Sequence, residues 1–531
     1  MAALKVLVID DHQPMRQIIR ESLYRLGMRN VVMVGTAPEA LRAMKSETID
    51  LILSDYNLGP GVDGQQLLEA ARSANLVSPV APWIFITANS IKADVMAAGD
   101  YTPDGYILKP FTDQLLAKYI DAVSARKTAL APLLVAISER RWEDVLDVAE
   151  GYVSRGDALR VEGIKQQAHA LMKLGRFDEA GEAYDAALQL NSELAWASHG
   201  RAQALRALND TEAARSLLEE LIKTQPDYAA AYDALLEIAE EQGDQDAALA
   251  IAQAVADRVP NAKRKIKLGT VALGAGQAEI AVKALEHAVS KNRNSPTKSY
   301  YEGVLLAQAL LDSGDPKRSL AVAADVNRQW PDHATAQMMC NAVRIQGLQQ
   351  TGATKEAAAL MTDIEASLAD AVLDNHDKLL LAKAALATGR MAVGQGLIES
   401  IARDNTDKPL MVAAAMRAAA GTPVEEAFKA AVERAGADIQ DALQALRQAK
   451  RDGDLTKAIA IGEGALELSP ANFNVLIELC TLYLLPMNRL GKAQEHTERA
   501  RMMLDSLEER YPHHGRVAAA RKFYRERLAA A

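Results

Sequence analysis

Three carboxylates, a hydroxyl and an ammonium group stand directly at the ends of short apolar runs in the first 110 residues. Asp10 and Asp11 follow the first run, and Asp55 follows the third. Thr87 ends the fourth run, and Lys109 follows the fifth. Burying a carboxylate without a partner is costly. This placement therefore predicts that a cation, a partner or a reaction lies beside these carboxylates.

The apolar runs alternate with amphipathic stretches through about residue 125. Nearly continuous apolar strands separated by helices predict a doubly wound α/β fold with a five-stranded parallel sheet. The carboxyl ends of parallel strands meet at one edge of a sheet, so the five polar residues should converge there. The predicted strands are Lys5–Ile9, Val31–Val34, Leu51–Ser54, Trp83–Thr87 and Gly105–Leu108.

The chemistry of this cluster follows from its residue types. Neighbouring carboxylates repel one another and titrate as a coupled set, and Mg²⁺ with oxygen ligands is a natural neutraliser. A lysine and a hydroxyl opposite them suit phosphoryl oxygens, and a carboxylate beside the metal is a competent nucleophile. The cluster predicts phosphoryl transfer to an aspartate. A structural ion-pair network around Lys109 is the alternative.

Four motifs resemble the receiver domain of two-component response regulators over residues 1–125: VIDD (Val8–Asp11), SDYN (Ser54–Asn57), ITA (Ile86–Ala88) and YILKPF (Tyr106–Phe111). The resemblance implies Mg²⁺ as cofactor and a sensor histidine kinase as partner. A receiver that has lost phosphorylation remains an alternative. The implied roles are Asp55 as phosphoacceptor, Asp10, Asp11, Asp55 and the Asn57 carbonyl at the metal, Thr87 and Lys109 at the phosphoryl group, Tyr106 as aromatic switch, and a cis bond before Pro110.

The loop after Asp55 carries one residue more than is usual in the family. It contains Gly59, Gly61 and Gly64, which spell the G-x-G-x-x-G of dinucleotide-binding loops. That fingerprint also needs an acid about 20 residues further on, and nothing acidic stands between Glu69 and Asp94. The glycines therefore indicate a turn.

A different period begins after the receiver-like segment. The turn residues Gly175, Asn209, Gly243 and Gly276 recur at spacings of 34, 34 and 33 residues. The fifth residue after each turn is an alanine. Pro226 and Pro260 stand twelve residues after two of these alanines, and Pro331 and Pro470 stand twelve residues after Ser319 and Ala458 in other units. A proline that closes the second helix of each unit and a fixed period predict a helix–turn–helix solenoid.

The repeats resemble the tetratricopeptide repeat family, most closely in GRFDEAGEAYDAALQLN and GDLTKAIAIGEGALELSPAN. We predict an all-α solenoid over 128–531 with about ten units, degenerate around 391–436. The resemblance implies a concave groove for an unidentified protein partner, lined early by cations and one exposed aromatic side chain, with acids on the next repeat. The predicted groove residues are Lys165, His169, Lys173, Trp196, His199, Gln203 and Arg206.

The charge, the apolar runs and the cysteines of the whole chain favour a cytoplasmic location. A net charge of −10 gives no footprint for nucleic acid, and no apolar run is long enough to span a membrane. Cys340 and Cys480 lie too far apart in sequence for the spacing of a metal-binding motif, and we predict that both are buried thiols. Near the C-terminus, we predict that the side chains of His513 and His514 face solvent and that Arg516–Leu528 forms a capping helix.

These observations together predict a response regulator whose output is a protein–protein contact, and not an enzyme. Two functions remain open beside it: an inhibitor or phosphate sink of its own kinase, and a phosphatase acting on another phosphoprotein. A structural scaffold whose receiver only tethers it is a further alternative. The sequence also leaves open a homodimer through the receiver.

Overall fold

A computed structural model describes residues 4–58, 63–88, 103–156, 159–293, 298–368, 371–485, 493–511 and 514–530. By its internal contacts the chain forms two units. The first comprises Met1–Arg201, Glu220–Ala231 and Lys291–Lys298, and the second comprises Ala202–Glu219, Tyr232–Ser290 and Ser299–Ala531. No helix in the described ranges has the length and apolar character that a membrane crossing requires.

The N-terminal part of the first unit is a parallel sheet in the order β2-β1-β3-β4-β5. Its strands, in chain order, are β1 Lys5–Ile9, β2 Asn30–Val34, β3 Leu51–Ser54, β4 Trp83–Thr87 and β5 Gly105–Leu108. The helices described here are α1 Gln13–Arg25, α2 Ala37–Ser46, α3 Gly64–Ser73 and α4 Asp113–Ala129. The predicted five-stranded parallel α/β fold is confirmed.

Alternate residues of the strands bury two separate cores, one on each face of the sheet. Leu7, Ile52 and Phe85 pack with α2 and α3. On the opposite face, Val8 and Ile84 pack with α1 and α4. Because side chains alternate along a strand, a sheet that is covered on both faces needs apolar residues at consecutive positions, as these strands have.

The rest of the chain folds as a tetratricopeptide-like helical solenoid, as predicted. Its described helices are α5 Ala131–Ser138, α6 Trp142–Arg155, α7 Arg160–Leu174, α8 Phe177–Leu190, α9 Ala195–Ala207, α10 Thr211–Thr224, α11 Ala229–Gln242, α12 Gln245–Arg258, α13 Ala262–Gly274, α14 Ala278–Asn292, α15 Tyr300–Asp312, α16 Pro316–Gln329, α17 Ala334–Gln350, α18 Thr354–Leu368, α19 Asn375–Ala387, α20 Met391–Asp404, α21 Pro409–Ala419, α22 Glu425–Arg451, α23 Leu455–Leu468, α24 Phe473–Tyr483, α25 Ala493–Arg510 and α26 Gly515–Ala530.

The periodic turn residues have the backbone conformation that the repeat requires. All four predicted turn residues have a positive φ, and the alanine five residues after each of them is fully buried. The four prolines each stand two residues beyond a helix end. Positive φ occurs at Gly156, Gly175, Asn209, Gly243, Gly276, Gly314, Gly352, Gly389, Gly421 and Gly453. Glycine and asparagine occupy these positions because other residues are strained there; Arg140, with φ +55° between α5 and α6, is an exception.

We expect Gly276→Ala to destabilise the solenoid by about 1 kcal/mol through backbone strain alone. Gly276 has φ +72°, and a methyl group there would meet no atom within 4 Å. The control is Gly464→Ala, inside α23, where the methyl group is equally free and should stabilise the helix by about 0.5–1 kcal/mol. Thermal unfolding followed by circular dichroism should shift in opposite directions. Shifts of the same sign would contradict this account.

The C-terminal helices differ from the sequence prediction in one respect. His514 does not face solvent: its ring lies 4.2 Å from that of Phe473, and burial lowers its pKa to about 4. His513 lies outside the described residues. The predicted burial of both cysteines is confirmed, and burial raises the pKa of each thiol to about 12.

Candidate functional site

The neighbouring strands β1 and β3 bring Asp10 and Asp55 together at the carboxyl edge of the sheet. Ile9 pairs with Ser54 in the β1–β3 register, and the Asp55 amide donates a 2.7 Å hydrogen bond to the Ile9 carbonyl. Asp10 and Asp55 are therefore adjacent. Each continues a strand that is completely buried at its last residue, so the carboxylates emerge at the end of the apolar core.

Lys109 lies between these two carboxylates. Its Nζ donates to Asp10 Oδ2 at 2.9 Å and to Asp55 Oδ2 at 2.8 Å. The Asp10 side chain is completely buried, and that of Asp55 is 11% exposed. Burial of the Lys109 ammonium acts to lower its pKa, but the hydrogen bonds and charges of the two carboxylates outweigh it, so the pKa is raised. Lys109 therefore stays charged, and its single positive charge offsets one of the two carboxylate charges.

Asp11 is more open and pairs with a residue that the sequence analysis missed. His12 Nδ1 lies 2.8 Å from Asp11 Oδ1, and this hydrogen bond, with the charge of Asp11, raises the pKa of the imidazole. Ligand atoms of Asp10, Asp11 and His12 all lie within 4.8 Å of one another. Two carboxylates at this separation, with Asp55 adjacent, form the oxygen-rich donor set that fits Mg²⁺. The adjacency of His12 to the acidic pair was the available signal.

The remaining predicted residues surround this core of the site. The Asn57 amide donates to Asp55 Oδ1 at 3.3 Å, and Thr87 is 2% exposed at the end of β4. The Tyr106 ring lies 5.9 Å from that of Phe85. Burial raises the pKa of Tyr106 to about 12, and its hydroxyl has no hydrogen-bond partner among the described residues. The Lys109–Pro110 peptide bond is cis.

Gly64 has a steric role in addition to the turn that the sequence predicts. A methyl group on Gly64 would overlap the Asp55 carbonyl and lie 2.8 Å from the Phe85 ring. The Gly64 amide donates to the Tyr56 carbonyl at 2.6 Å, which holds the loop end against the site. Gly59, Gly61 and the extra loop residue lie outside the described ranges. Glycine at position 64 thus lets α3 begin directly beside the phosphoacceptor candidate.

The predicted groove residues of the first unit lie on α7 and α9 and are less open than expected. Trp196 is partly buried rather than exposed: its ring lies 6.3 Å from that of Tyr184, and Lys165 Nζ lies 5.7 Å from its centroid. His169 packs on Trp142 and His199 on Tyr228. Lys165 is exposed, and Lys173 is partly buried.

In the second unit the predicted groove charges are paired with one another. Arg206 donates to Glu237 at 2.8 Å and to Glu241 at 2.9 Å. Two further acids on the same repeat are also paired, Asp233 with Arg264 and Glu240 with Lys267. Gln203 is 8% exposed and offers little surface to a ligand. The expected change of sign along the groove is therefore compensated by ion pairs between neighbouring first helices.

Comparison with known proteins gives separate matches for the two parts of the chain. A family model described as the response regulator receiver domain matches residues 6–121. A second, described as the N-terminal domain of the ESX-1 secretion system protein EccA1, matches residues 93–239. The chemotaxis protein CheY of Pseudomonas aeruginosa is 32% identical over 123 residues, which are 23% of this chain and 98% of that protein.

Two solved structures are also similar. A response regulator receiver domain protein from Clostridium thermocellum is 26% identical, with a TM-score of 0.22, and the match covers 24% of this chain and 98% of that one. A tetratricopeptide repeat protein from Parabacteroides merdae is 12% identical, with a TM-score of 0.29, covering 48% of this chain and 95% of that one.

Proposed function

The chain belongs to the response regulator receiver family through its N-terminal residues, and on this premise we propose that it accepts a phosphoryl group on Asp55 from a sensor histidine kinase. The observation that carries this proposal is the Lys109 ammonium, which bridges Asp55 and Asp10 at 2.8 and 2.9 Å. The receiver would comprise residues 1–125, and the repeats over 128–531 would deliver the output as a protein contact.

The proposed transfer uses the Asp55 carboxylate as nucleophile. Its oxygen attacks phosphorus, the bond to the donor breaks, and the donor leaves with the electron pair. Asp10, Asp11, Asp55 and the Asn57 carbonyl would hold Mg²⁺, which neutralises charge on the carboxylates and the phosphoryl oxygens. Lys109 and Thr87 would bind the remaining phosphoryl oxygens, because an ammonium and a hydroxyl donate to developing negative charge.

The proposed switch is a population shift between two packings. Once Thr87 is drawn toward the phosphoryl group, the space beside β5 changes, and Tyr106 can move inward. Its hydroxyl already lies buried without a described partner, a position that costs free energy unless it is relieved. Tyr106 packs on Phe85 on the α2 and α3 side of the sheet, so the two states differ at β5, the strand that precedes α4.

Helix α4 follows β5 and connects it to the first repeat inside one unit. It runs to Ala129, and α5 starts two residues later. On the receiver side Lys127 donates to Asp104 at 2.9 Å, and on the repeat side the Tyr152 hydroxyl donates to the Ala129 carbonyl at 2.6 Å. The helix is tied at both sides, without a flexible spacer.

We expect activation to change the shape of the full chain in solution. With Mg²⁺ and beryllofluoride as phosphoryl mimic, a displacement of α4 should pass into α5 and α6, since they are joined by backbone and side-chain hydrogen bonds. Small-angle scattering curves of the apo and activated chain should differ. Two curves that both fit independently tumbling parts would contradict this expectation.

The experiment that tests the proposed output is affinity capture from lysate in two states. The full chain with Mg²⁺ and beryllofluoride is compared with Asp55→Asn under the same conditions. A protein retained by only one of the two supports relay through the repeats. Identical captures would favour a scaffold function, and state-dependent capture of a histidine kinase alone would favour a phosphate sink.

A further inference from the structure

The second unit encloses a cavity of about 1090 Å³. Helices α11, α13, α15, α19 and α21 line it, together with the C-terminal end of α9 and the start of α26. Small-molecule sites usually have volumes of about 300–1000 Å³, so this chamber has the size of a ligand site. None of the receiver residues in the proposed mechanism lines it.

Contacts between distant parts of the chain close the concave side around the chamber. The backbone of Gly515 touches that of Ala207, and a methyl group on Gly515 would overlap the Ala207 carbonyl. Arg417 Nη1 donates to Gln245 Oε1 at 3.1 Å, across 172 residues. A methyl group on Gly243 would lie 2.9 Å from Pro409. The wall thus forms a chamber rather than an open trough for an extended protein segment.

Most of the acids that line the chamber form ion pairs. Glu237 and Glu241 share Arg206, Glu240 binds Lys267 at 2.6 Å, and Asp312 binds Lys383 at 3.1 Å. Because Arg206 has one positive charge for two glutamates and Asp407 has no ion pair in the described part of the chain, two negative charges remain, fewer than the three lining cations without an ion pair.

Three lining cations have no such partner. Lys408, Arg417 and Arg510 form no ion pair with any carboxylate in the described part of the chain; Lys408 lies over the Tyr511 ring at 5.8 Å instead. A half-enclosed site with surplus positive charge attracts anions. Guanidinium groups in particular bind phosphate and carboxylate in a bidentate manner.

Two buried acceptors in the same wall point to a second property of the ligand. Gln308 is 3% exposed; its Nε2 donates to Asp312 at 2.7 Å, but its Oε1 accepts no hydrogen bond from the described residues. Asp407 Oδ2 accepts from the Phe473 amide at 2.8 Å, whereas its buried Oδ1 likewise lacks a described donor. Buried acceptors without partners destabilise the fold, and a donor on a ligand would relieve this cost.

We propose that this chamber binds a small organic anion of nucleotide size. Its anionic groups are held by Lys408, Arg417 and Arg510, and its N–H or O–H donors are received by Gln308 and Asp407. Nucleoside polyphosphates combine both properties, since their phosphates are anionic and their bases and riboses carry donors. Binding would link the solenoid to a metabolite, separately from phosphorylation of the receiver.

The test is calorimetric titration of the full chain, in metal-free buffer so that the receiver pocket does not take up phosphate. The probes are ATP, tripolyphosphate, which has only the anionic groups, and adenosine, which has only the donors. We expect saturable binding of ATP, weaker binding of tripolyphosphate and no measurable binding of adenosine. Absence of saturable binding for both ATP and tripolyphosphate would overturn the proposal.

Two variants separate the two kinds of contact. Arg417→Ala should weaken ATP and tripolyphosphate binding about tenfold or more, whereas Gln308→Leu should weaken ATP binding only. Arg434→Ala is the control, because Arg434 is exposed on α22 and does not line the chamber. ATP binding that Arg417→Ala leaves unchanged would overturn the site. Tripolyphosphate binding as tight as that of ATP would overturn the assigned donor contacts.

Discussion

Asp55→Asn should abolish uptake of a phosphoryl group from acetyl phosphate or a cognate kinase. The amide is nearly the same size as the carboxylate and can still contact Lys109, which keeps Asp10 as a partner at 2.9 Å. It has no anionic oxygen to attack phosphorus, so no acyl phosphate forms. Because no second nucleophile has the same position at the end of β3, we expect no detectable label on the variant.

The measurement is Mg²⁺-dependent incorporation of labelled phosphate into the full chain, with phosphopeptide mapping of the wild type. Asp121→Asn is the matched control, since Asp121 lies exposed on α4 in the same domain. It should label like the wild type. Full labelling of Asp55→Asn, or label mapped to Asp10 or Asp11, would remove Asp55 as the phosphoacceptor. Circular dichroism of both variants checks that the fold is retained.

The sheet and its polar edge could be predicted because both depend on local signals. Apolar runs buried on both faces identify strands, and four of the five predicted strands have the observed bounds; β2 starts one residue earlier. Parallel strands place the residues after them at one edge, so the convergence of Asp10, Asp55 and Lys109 followed from the predicted parallel strands. The positions of the other side chains that complete the site could not be predicted in this way. The contact of Gly64 with the Asp55 carbonyl depends on how the loop returns to the sheet.

The solenoid shows the same division between local and distant information. Turn glycines and buried alanines recur in sequence because each repeat solves the same packing problem, and the structure has them at the predicted places. Whether a groove charge is paired depends on the neighbouring repeat: Arg206 forms an ion pair with Glu237, 31 residues away in sequence. Closure of the chamber joins Ala207 to Gly515. No periodic pattern within one repeat encodes a contact of that range.

Trp196→Ala should weaken binding of the partner to the repeats by roughly 2 kcal/mol or more. Among the proposed groove residues, Trp196 is the one large aromatic side chain. Its ring is held by Tyr184 on one side, and Lys165 lies within the range of a cation–π contact. A partly buried, oriented ring loses little conformational entropy on binding, which is typical of an interface anchor. Truncation to alanine removes this ring and leaves a gap in the groove surface formed by α7 and α9.

Affinity for the captured partner is to be measured with wild type, Trp196→Ala and Trp330→Ala. Trp330 is the matched control, since it is also partly buried against aromatic neighbours but packs with Tyr300 and His333 in the second unit. Its truncation should lower thermal stability to a similar extent and leave partner affinity unchanged. Asp55 phosphorylation and helical content should remain at the wild-type level in both variants. If affinity is unaltered in Trp196→Ala, Lys173→Ala and Arg206→Ala, the partner binds at another surface of the repeats.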